Sequence, residues 1–151
     1  MRLEDRALIM ATEAHSGQTD KVGNPYILHV IRVWLACQRQ GHGPAVECAA
    51  ILHDVVEDTE VTLSDIEMAF GVEVRDAVDA LTKREGETLD GYLARVAGNP
   101  IARIVKHADS TDNYQRITHT EDEATRERLS QKYLRVFAYL RDHPHPQEHQ
   151  P

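Results

Sequence analysis

The sequence predicts an all-α fold, a single-domain bundle of about seven to eight helices. Apolar residues recur at helical spacing along most of the 151-residue chain, as Leu3, Ala7, Met10, Ala11 and Ala14 do in the first segment. No stretch of useful length alternates apolar and polar residues as a half-buried strand does. The breaks between periodic segments contain Gly, Pro and Asn, which are residues typical of helix ends.

The helices are separated by short polar breaks. Residues 16–25 form a polar loop, in which Asn24-Pro25 is typical of a helix start. Gly41-His42-Gly43-Pro44 begins the third helix, Thr62-Leu63-Ser64-Asp65 resembles a capping box, and Gly71 ends the helix that this box opens. The predicted helices are Leu3–His15, Tyr26–Gln40, a third from Pro44 that carries Leu52–Thr59, then Thr62–Phe70, Val72–Leu81, Leu89–Ala97, Ile101–Tyr114 and Glu121–Arg141.

Length and composition favour one intracellular domain over residues 1–142, followed by a flexible polar tail over residues 143–151. The net charge of −8 argues against a nucleic-acid surface. We expect no signal peptide and no membrane span, and Cys37 and Cys48 form no redox or metal motif, so the expected location is the cytoplasm. The apolar stripe of the last helix either closes the bundle or forms a dimer contact, which leaves monomer and homodimer both open.

The most informative segment is Leu52–Thr59, which carries His53, Asp54, Glu57 and Asp58 in an otherwise apolar stretch. A helix that is apolar nearly all round is buried. Buried imidazole and carboxylate groups require neutralisation, which a divalent metal supplies. The alternative is a buried His–Asp pair that bridges helices, but the two acids one turn further on favour a site.

Two further groups are weaker when taken alone. Lys106, Asp109 and Asn113 form a polar stripe beside an apolar helix face, and taken alone an exposed Lys106–Asp109 ion pair is the better interpretation. His29 stands on an amphipathic helix, where a hydrogen-bonded core histidine is the ordinary interpretation.

Together these motifs resemble the HD-domain hydrolases, in particular the RelA/SpoT-type hydrolase domain and the small alarmone hydrolases. The resemblance rests on Gly17-Gln18, Lys21, Gly23 and Pro25–His29, on Leu52–Thr59, and on Lys106, Ala108-Asp109 and Asn113. It implies an HD-type helical bundle that binds one divalent metal, with manganese expected and iron, cobalt or zinc as alternatives. The implied metal ligands are His29, His53, Asp54 and Asp109, the implied catalytic acids are Glu57 and Asp58, and the implied substrate contacts are Lys21, Tyr26, Lys106 and Asn113.

The resemblance further implies a small phosphorylated nucleotide as substrate. Its sharpest form is 3′-pyrophosphohydrolysis of guanosine 3′,5′-bis(diphosphate) to GDP and pyrophosphate. One departure bears on this substrate, because Asp20 stands where the alarmone hydrolases usually carry an arginine. Two alternatives therefore stay open: an HD phosphohydrolase for another nucleotide, such as a nucleoside monophosphate or a dinucleotide phosphate, and a non-catalytic HD module that binds a nucleotide.

Overall fold

The computed structural model describes residues 1–117 and 122–146, and these residues form nine helices. The described residues contain no strand, apart from an isolated bridge between Thr19 and Pro25. The predicted all-α class is therefore confirmed. The helices are α1 Leu3–Ala14, α2 Ile27–Arg39, α3 Pro44–Leu52, α4 Val55–Asp58, α5 Leu63–Phe70, α6 Val72–Leu81, α7 Leu89–Ala97, α8 Pro100–Gln115 and α9 Glu123–Asp142.

The additional helix arises where the sequence predicted an unbroken third helix through residues 52–59. That prediction is wrong, because α3 ends at Leu52 and α4 begins at Val55. Asp54 has φ −107° and ψ −3°, outside the regular helical range, and His53 and Asp54 form the turn between the two helices. The turn places this His-Asp pair between two helices, where both side chains face residues of α2 and α8.

Most helix boundaries agree with the caps in the sequence. The Thr62 hydroxyl accepts a hydrogen bond from the Asp65 amide, and the predicted capping box is confirmed. Helix α2 begins at Ile27, one residue after the predicted start at Tyr26. The predicted N-cap Asn24 is wrong, because Tyr26 is the N-cap residue and the residues before it form a tight loop. In that loop the Asp20 amide donates to the Asn24 carbonyl, and the Tyr26 amide donates to the Gln18 carbonyl.

The core consists of two buried apolar clusters that meet on α3. Ala49 and Ala50 belong to the cluster shared with α7, α8 and α9, whereas Ile51 and Leu52 belong to the cluster shared with α1 and α5. Helices α2 and α6 contribute to both clusters. Because α3 is buried on both sides, the His53 that follows it is only 2% exposed.

The last helix closes the bundle, since its residues Val136 and Leu140 are buried in the core. Its predicted first residue, Glu121, lies outside the described residues. Of the predicted tail, His143 stacks on Tyr139 with a ring separation of 4.0 Å, while residues 147–151 also lie outside the described range. Within the described ranges no helix has the length and apolar character needed to cross a membrane.

Candidate metal centre and adjoining cavity

Two buried histidines face each other from α2 and from the turn between α3 and α4. The Nδ1 atom of His29 lies 2.7 Å from an Asp112 carboxylate oxygen, and that of His53 lies 2.8 Å from the Ala50 carbonyl oxygen. Because both partners are acceptors, Nδ1 carries the proton in the neutral form of each ring, and Nε2 presents a lone pair. Neither Nε2 atom makes a hydrogen bond to any described residue, although both are buried.

Two carboxylates complete the cluster around these Nε2 atoms. Asp54 Oδ2 lies 2.9 Å from His53 Nε2 and 4.0 Å from His29 Nε2. Asp109 Oδ1 lies 3.1 Å from His29 Nε2 and 3.6 Å from His53 Nε2. The structure thus brings together all four residues that the sequence analysis assigned as metal ligands.

The electrostatics of the cluster favour positive charge at its centre. Burial by itself lowers the pKa of both histidines, but Asp109 and Asp112 raise that of His29, and Asp54 and Asp109 raise that of His53 well above its ordinary value. Burial by itself raises the pKa of Asp54, yet His53 holds it at about 2. The cluster therefore gains from a cation, and a divalent metal fits the two unpartnered imidazole nitrogens and two carboxylates.

Three predicted substrate contacts, Tyr26, Lys106 and Asn113, form hydrogen bonds to the carboxylates of the cluster, and Tyr26 and Asn113 also line the adjoining cavity. The Tyr26 hydroxyl donates to Asp54 Oδ2. Lys106 Nζ donates to Asp109 Oδ2 at 3.0 Å, and Asn113 Nδ2 donates to Asp109 Oδ1 at 2.9 Å. The Lys106 and Asp109 side chains are only 15% and 9% exposed, so this is not the exposed ion pair considered as the alternative. Tyr26, Lys106 and Asn113 orient the two carboxylates.

The two predicted catalytic acids lie on α4, at the exposed edge of the cluster. Carboxylate oxygens of Asp54, Glu57 and Asp58 lie within 4.8 Å of one another, so that Asp54 joins the acids to the histidines. One Glu57 oxygen accepts a hydrogen bond of 2.7 Å from the Lys83 amide. Burial, followed by the charges of Asp54 and Glu57, raises the pKa of Asp58.

The structure also shows functional neighbours that the sequence analysis missed. Asp112 binds both the His29 ring and the Arg32 guanidinium, whose Nε lies 2.7 Å from Asp112 Oδ1. His15 follows the last residue of α1 and is buried, and its Nδ1 lies 2.8 Å from Gln18 Oε1. Gln18 Nε2 donates to the Asp58 carbonyl at 3.0 Å, which ties the 16–25 loop to α4.

A cavity of about 370 Å³ adjoins the His/Asp cluster, and His29 belongs to both. Its charged side chains are three cations and one carboxylate, which makes it locally basic in an acidic chain. Its volume lies within the range of about 300–1,000 Å³ that small-molecule sites occupy. The lining residues are Thr19, Asp20, Lys21, Val22, Tyr26, His29, Arg32, Asn113, Arg116, Ile117, Leu129 and Tyr133.

The family of the chain follows from a comparison with family models. The model described as the HD domain matches residues 7–90, which is more than half of the chain and includes His29, His53 and Asp54. The chain belongs to the HD domain family, and the resemblance described from the sequence is confirmed.

Two curated proteins show sequence similarity over most of this chain. A GTP pyrophosphokinase of Streptomyces coelicolor is 32% identical over 149 residues, which cover 93% of this chain and 18% of the relative. A guanosine-3′,5′-bis(diphosphate) 3′-pyrophosphohydrolase of Aquifex aeolicus is 29% identical over 143 residues, which cover 89% of this chain and 20% of the relative. The chain thus spans about a fifth of the length of these curated relatives.

A solved structure matches nearly the whole chain. It is described as "A metazoan ortholog of SpoT hydrolyzes ppGpp and plays a role in starvation responses". The two structures superpose with a TM-score of 0.82 at 25% sequence identity, and the match covers 95% of this chain and 88% of the other. The helical arrangement found here is therefore also that of a protein of similar size.

Proposed function

We propose that this chain is a metal-dependent phosphohydrolase that converts guanosine 3′,5′-bis(diphosphate) and water to GDP and pyrophosphate. The observation that carries the proposal is a buried His/Asp cluster that shares His29 with an adjoining, locally basic cavity of about 370 Å³. The names of the Aquifex relative and of the metazoan structure support the choice of substrate.

The proposed metal ligands are His29, His53, Asp54 and Asp109. Their mixed nitrogen and oxygen donors suit manganese, iron, cobalt or zinc, and we propose manganese because of the family resemblance. When bound, such a cation polarises a phosphoryl oxygen and acidifies water at neutral pH. The proposal for the metal is supported by the two buried Nε2 atoms that make no hydrogen bond to described residues.

The proposed catalytic acids are Glu57 and Asp58, one turn beyond Asp54. The Lys83 amide holds one carboxylate oxygen of Glu57, which restrains this side chain at the edge of the cluster. From there Glu57 and Asp58 orient the attacking water, accept its proton and return a proton to the departing 3′-oxygen of the ribose. The bond that breaks joins that oxygen to the 3′-phosphorus atom.

The remaining site residues hold the substrate or the ligands. Lys21 lies in the cavity wall and is proposed to bind phosphate oxygens as a point cation. Tyr26 and Asn113 line the same cavity while they orient Asp54 and Asp109, so they serve both the metal and the substrate. Lys106 acts through Asp109 and is proposed to stabilise the charged form of that ligand.

We also infer a cytoplasmic location. Cys37 and Cys48 are both buried and form no disulfide. Burial raises the pKa of the Cys37 thiol to about 11 and that of the Cys48 thiol to about 12, which keeps both thiols protonated and unreactive. Such cysteines fit a reducing compartment.

The test is product analysis by anion-exchange chromatography after incubation of manganese-loaded protein with guanosine tetraphosphate. We expect GDP and pyrophosphate in equal amounts, and no products from Asp54→Ala, which should lose both metal and activity. Metal content is measured on the same samples. Fully loaded parent protein that releases no pyrophosphate would refute this substrate, and a screen of other phosphorylated nucleotides would then identify the alternative phosphohydrolase.

The same experiment separates the hydrolase from a non-catalytic binding module. A binding module retains its affinity for the nucleotide after chelation and gives no products in any state of metal loading. A hydrolase loses turnover on chelation and regains it when manganese is restored. The presence of both acids beside the four ligands favours the hydrolase.

A further inference from the structure

Arg116 lies in the wall of the cavity that adjoins the His/Asp cluster. It follows the last residue of α8 and stands seven residues after Asp109, with Asn113 between them. Residues spaced by four and seven positions share one helix face. Arg116 therefore lies two turns, about 10 Å along the helix axis, from the ligand Asp109 and on the same side of α8.

The guanidinium of Arg116 faces a carboxylate without being fully engaged by it. Its Nη2 atom lies 4.0 Å from Asp20 Oδ2, which is longer than a hydrogen bond, and its side chain is 42% exposed. The other Asp20 oxygen accepts hydrogen bonds from the Val22 and Asn24 amides at 3.0 and 2.9 Å. Asp20 thus holds the loop in shape and lies beside Arg116 in the cavity wall, without using the guanidinium N–H groups of Arg116 in a hydrogen bond.

The second arginine of the cavity has a different role. Arg32 forms a two-point ion pair with Asp112, with distances of 2.7 and 3.1 Å, and the same carboxylate holds the ring of His29. Arg32 is therefore part of the support for a metal ligand. Arg116 is better placed to recognise a separate anionic group of the substrate.

We propose that Arg116 is a specificity-determining residue that binds the 5′-phosphates of a nucleotide whose 3′-phosphates lie at the metal cluster. The inference rests on the proposed function and defines its substrate class as nucleotides phosphorylated at both ends. The planar fork of an arginine matches phosphate oxygens at two points.

The test compares guanosine tetraphosphate with guanosine 3′-diphosphate, which lacks the 5′-phosphates. Dissociation constants and steady-state kinetics are measured for the manganese-loaded parent, Arg116→Gln and Arg116→Lys. We expect the parent to prefer the tetraphosphate in Kd and KM, and Arg116→Gln to weaken its binding about tenfold or more. Binding of the 3′-diphosphate and kcat should change less than about threefold, because the lost contact is uniform binding.

Arg116→Lys keeps the charge but loses the fork, so it should retain part of the preference. Arg39→Gln is the matched control, since Arg39 is an exposed arginine in the last turn of α2 and does not line the cavity. Circular dichroism establishes that each variant is folded. The preference should be unchanged in Arg39→Gln.

The outcomes distinguish this inference from the proposed function. If the parent binds the tetraphosphate selectively and Arg116→Gln does not, the role of Arg116 is supported, whether or not the parent releases products. A lack of products counts only against the proposed hydrolase activity. Equal affinity of the parent for the two nucleotides overturns the inference, as does a preference that Arg116→Gln retains. Failure of both nucleotides to bind overturns it as well.

Discussion

The His29 ring is held at its Nδ1 atom by Asp112, and this contact determines which nitrogen can bind a metal. Asp112 accepts the Nδ1 hydrogen bond at 2.7 Å, which leaves Nε2 for a metal, and Arg32 in turn holds Asp112. A carboxylate behind a histidine ligand fixes the ring and raises its basicity. His29 is therefore preorganised for a cation before any ligand arrives.

Asp112→Ala should weaken metal binding without abolishing it. Removal of such an outer carboxylate costs about 10–100-fold in metal affinity, because the ring is then free to reorient. The measurement is competition for Mn²⁺ against a chelator of known affinity. Asp76→Ala, at an exposed position on α6, is the control and should bind as the parent does. If Asp112→Ala binds Mn²⁺ as tightly as the control does, Asp112 does not support the metal site.

We expect substitution of Glu57 to lower the rate of hydrolysis without changing metal binding. Glu57→Gln should retain the parent's metal content, since Glu57 lies outside the four-ligand cluster, but should lower kcat by about 100-fold or more through loss of a general base. Turnover and metal content are measured on the same preparation. Glu73→Gln on α6 is the matched control, and a Glu57→Gln rate within a few-fold of it would refute the assigned role.

At the scale of single residues, the sequence predicts those site residues that are close together in the chain. Six consecutive positions contain four side chains that can bind a metal or transfer a proton, and these residue types alone indicate a site: His53, Asp54, Glu57 and Asp58. Asp112 could not be assigned this way, because its partner His29 lies 83 residues earlier. The pattern of Asp109 and Asp112 three residues apart on one helix is the only local signal, and it is equally typical of an exposed helix face.

Among the secondary-structure elements, the break between α3 and α4 is the one that sequence patterns conceal. Residues 51–56 contain neither Gly nor Pro, and the apolar residues on both sides of His53 and Asp54 are equally consistent with one continuous helix. The break depends on tertiary contacts, since Asp54 is drawn towards Tyr26 and His29 of another segment. By contrast, the capping box at Thr62 is local and was predictable.

The end of α9 is anchored by a buried arginine. Arg103 on α8 donates at 2.7 Å to each of the carbonyls of Leu140 and His143, and at 3.2 Å to that of Ala97 on α7. These carbonyls lie at helix C-termini, where main-chain acceptors have no partner within the helix. Arg103 therefore joins α8 to the C-terminal ends of α7 and α9 by donating to carbonyl groups there.

Arg103→Met should lower the free energy of unfolding by about 2–4 kcal/mol, because buried carbonyl groups lose their donors. Urea unfolding measures the change, and hydrogen exchange should show the largest loss of protection at the C-terminal turns of α7 and α9. Arg135→Met on α9, which removes an exposed ion pair with Asp90 of α7, should change stability by less than about 1 kcal/mol. Equal destabilisation by the two variants would contradict the anchoring role.

The candidate metal centre joins distant parts of the whole molecule. His29 comes from α2, His53 and Asp54 from the turn after α3, and Asp109 from α8. The two halves of the core meet at α3, immediately before this turn. A pattern of local helices predicts the fold class, but the convergence of three segments on one point depends on packing that local periodicity does not encode.

We expect this convergence to make the stability of the chain dependent on metal. In the absence of a cation, two imidazole lone pairs and two carboxylates are buried together, and a cation held by all three segments binds the folded chain alone. At a free Mn²⁺ concentration of 100 times Kd, linkage adds about 2.7 kcal/mol to the free energy of unfolding. For a domain of this size the expected rise in Tm is about 5–10 °C.

Differential scanning calorimetry with and without Mn²⁺ measures this rise, and Asp109→Asn provides the decisive comparison. That variant is nearly isosteric and its side-chain oxygen still accepts from Asn113, but it lacks the ligand charge. We expect its Tm to respond to Mn²⁺ far less than that of the parent. A rise of equal size in both proteins would place the ion elsewhere, since a site formed by His29, His53, Asp54 and Asp109 cannot lose one of its two anionic ligands without losing affinity.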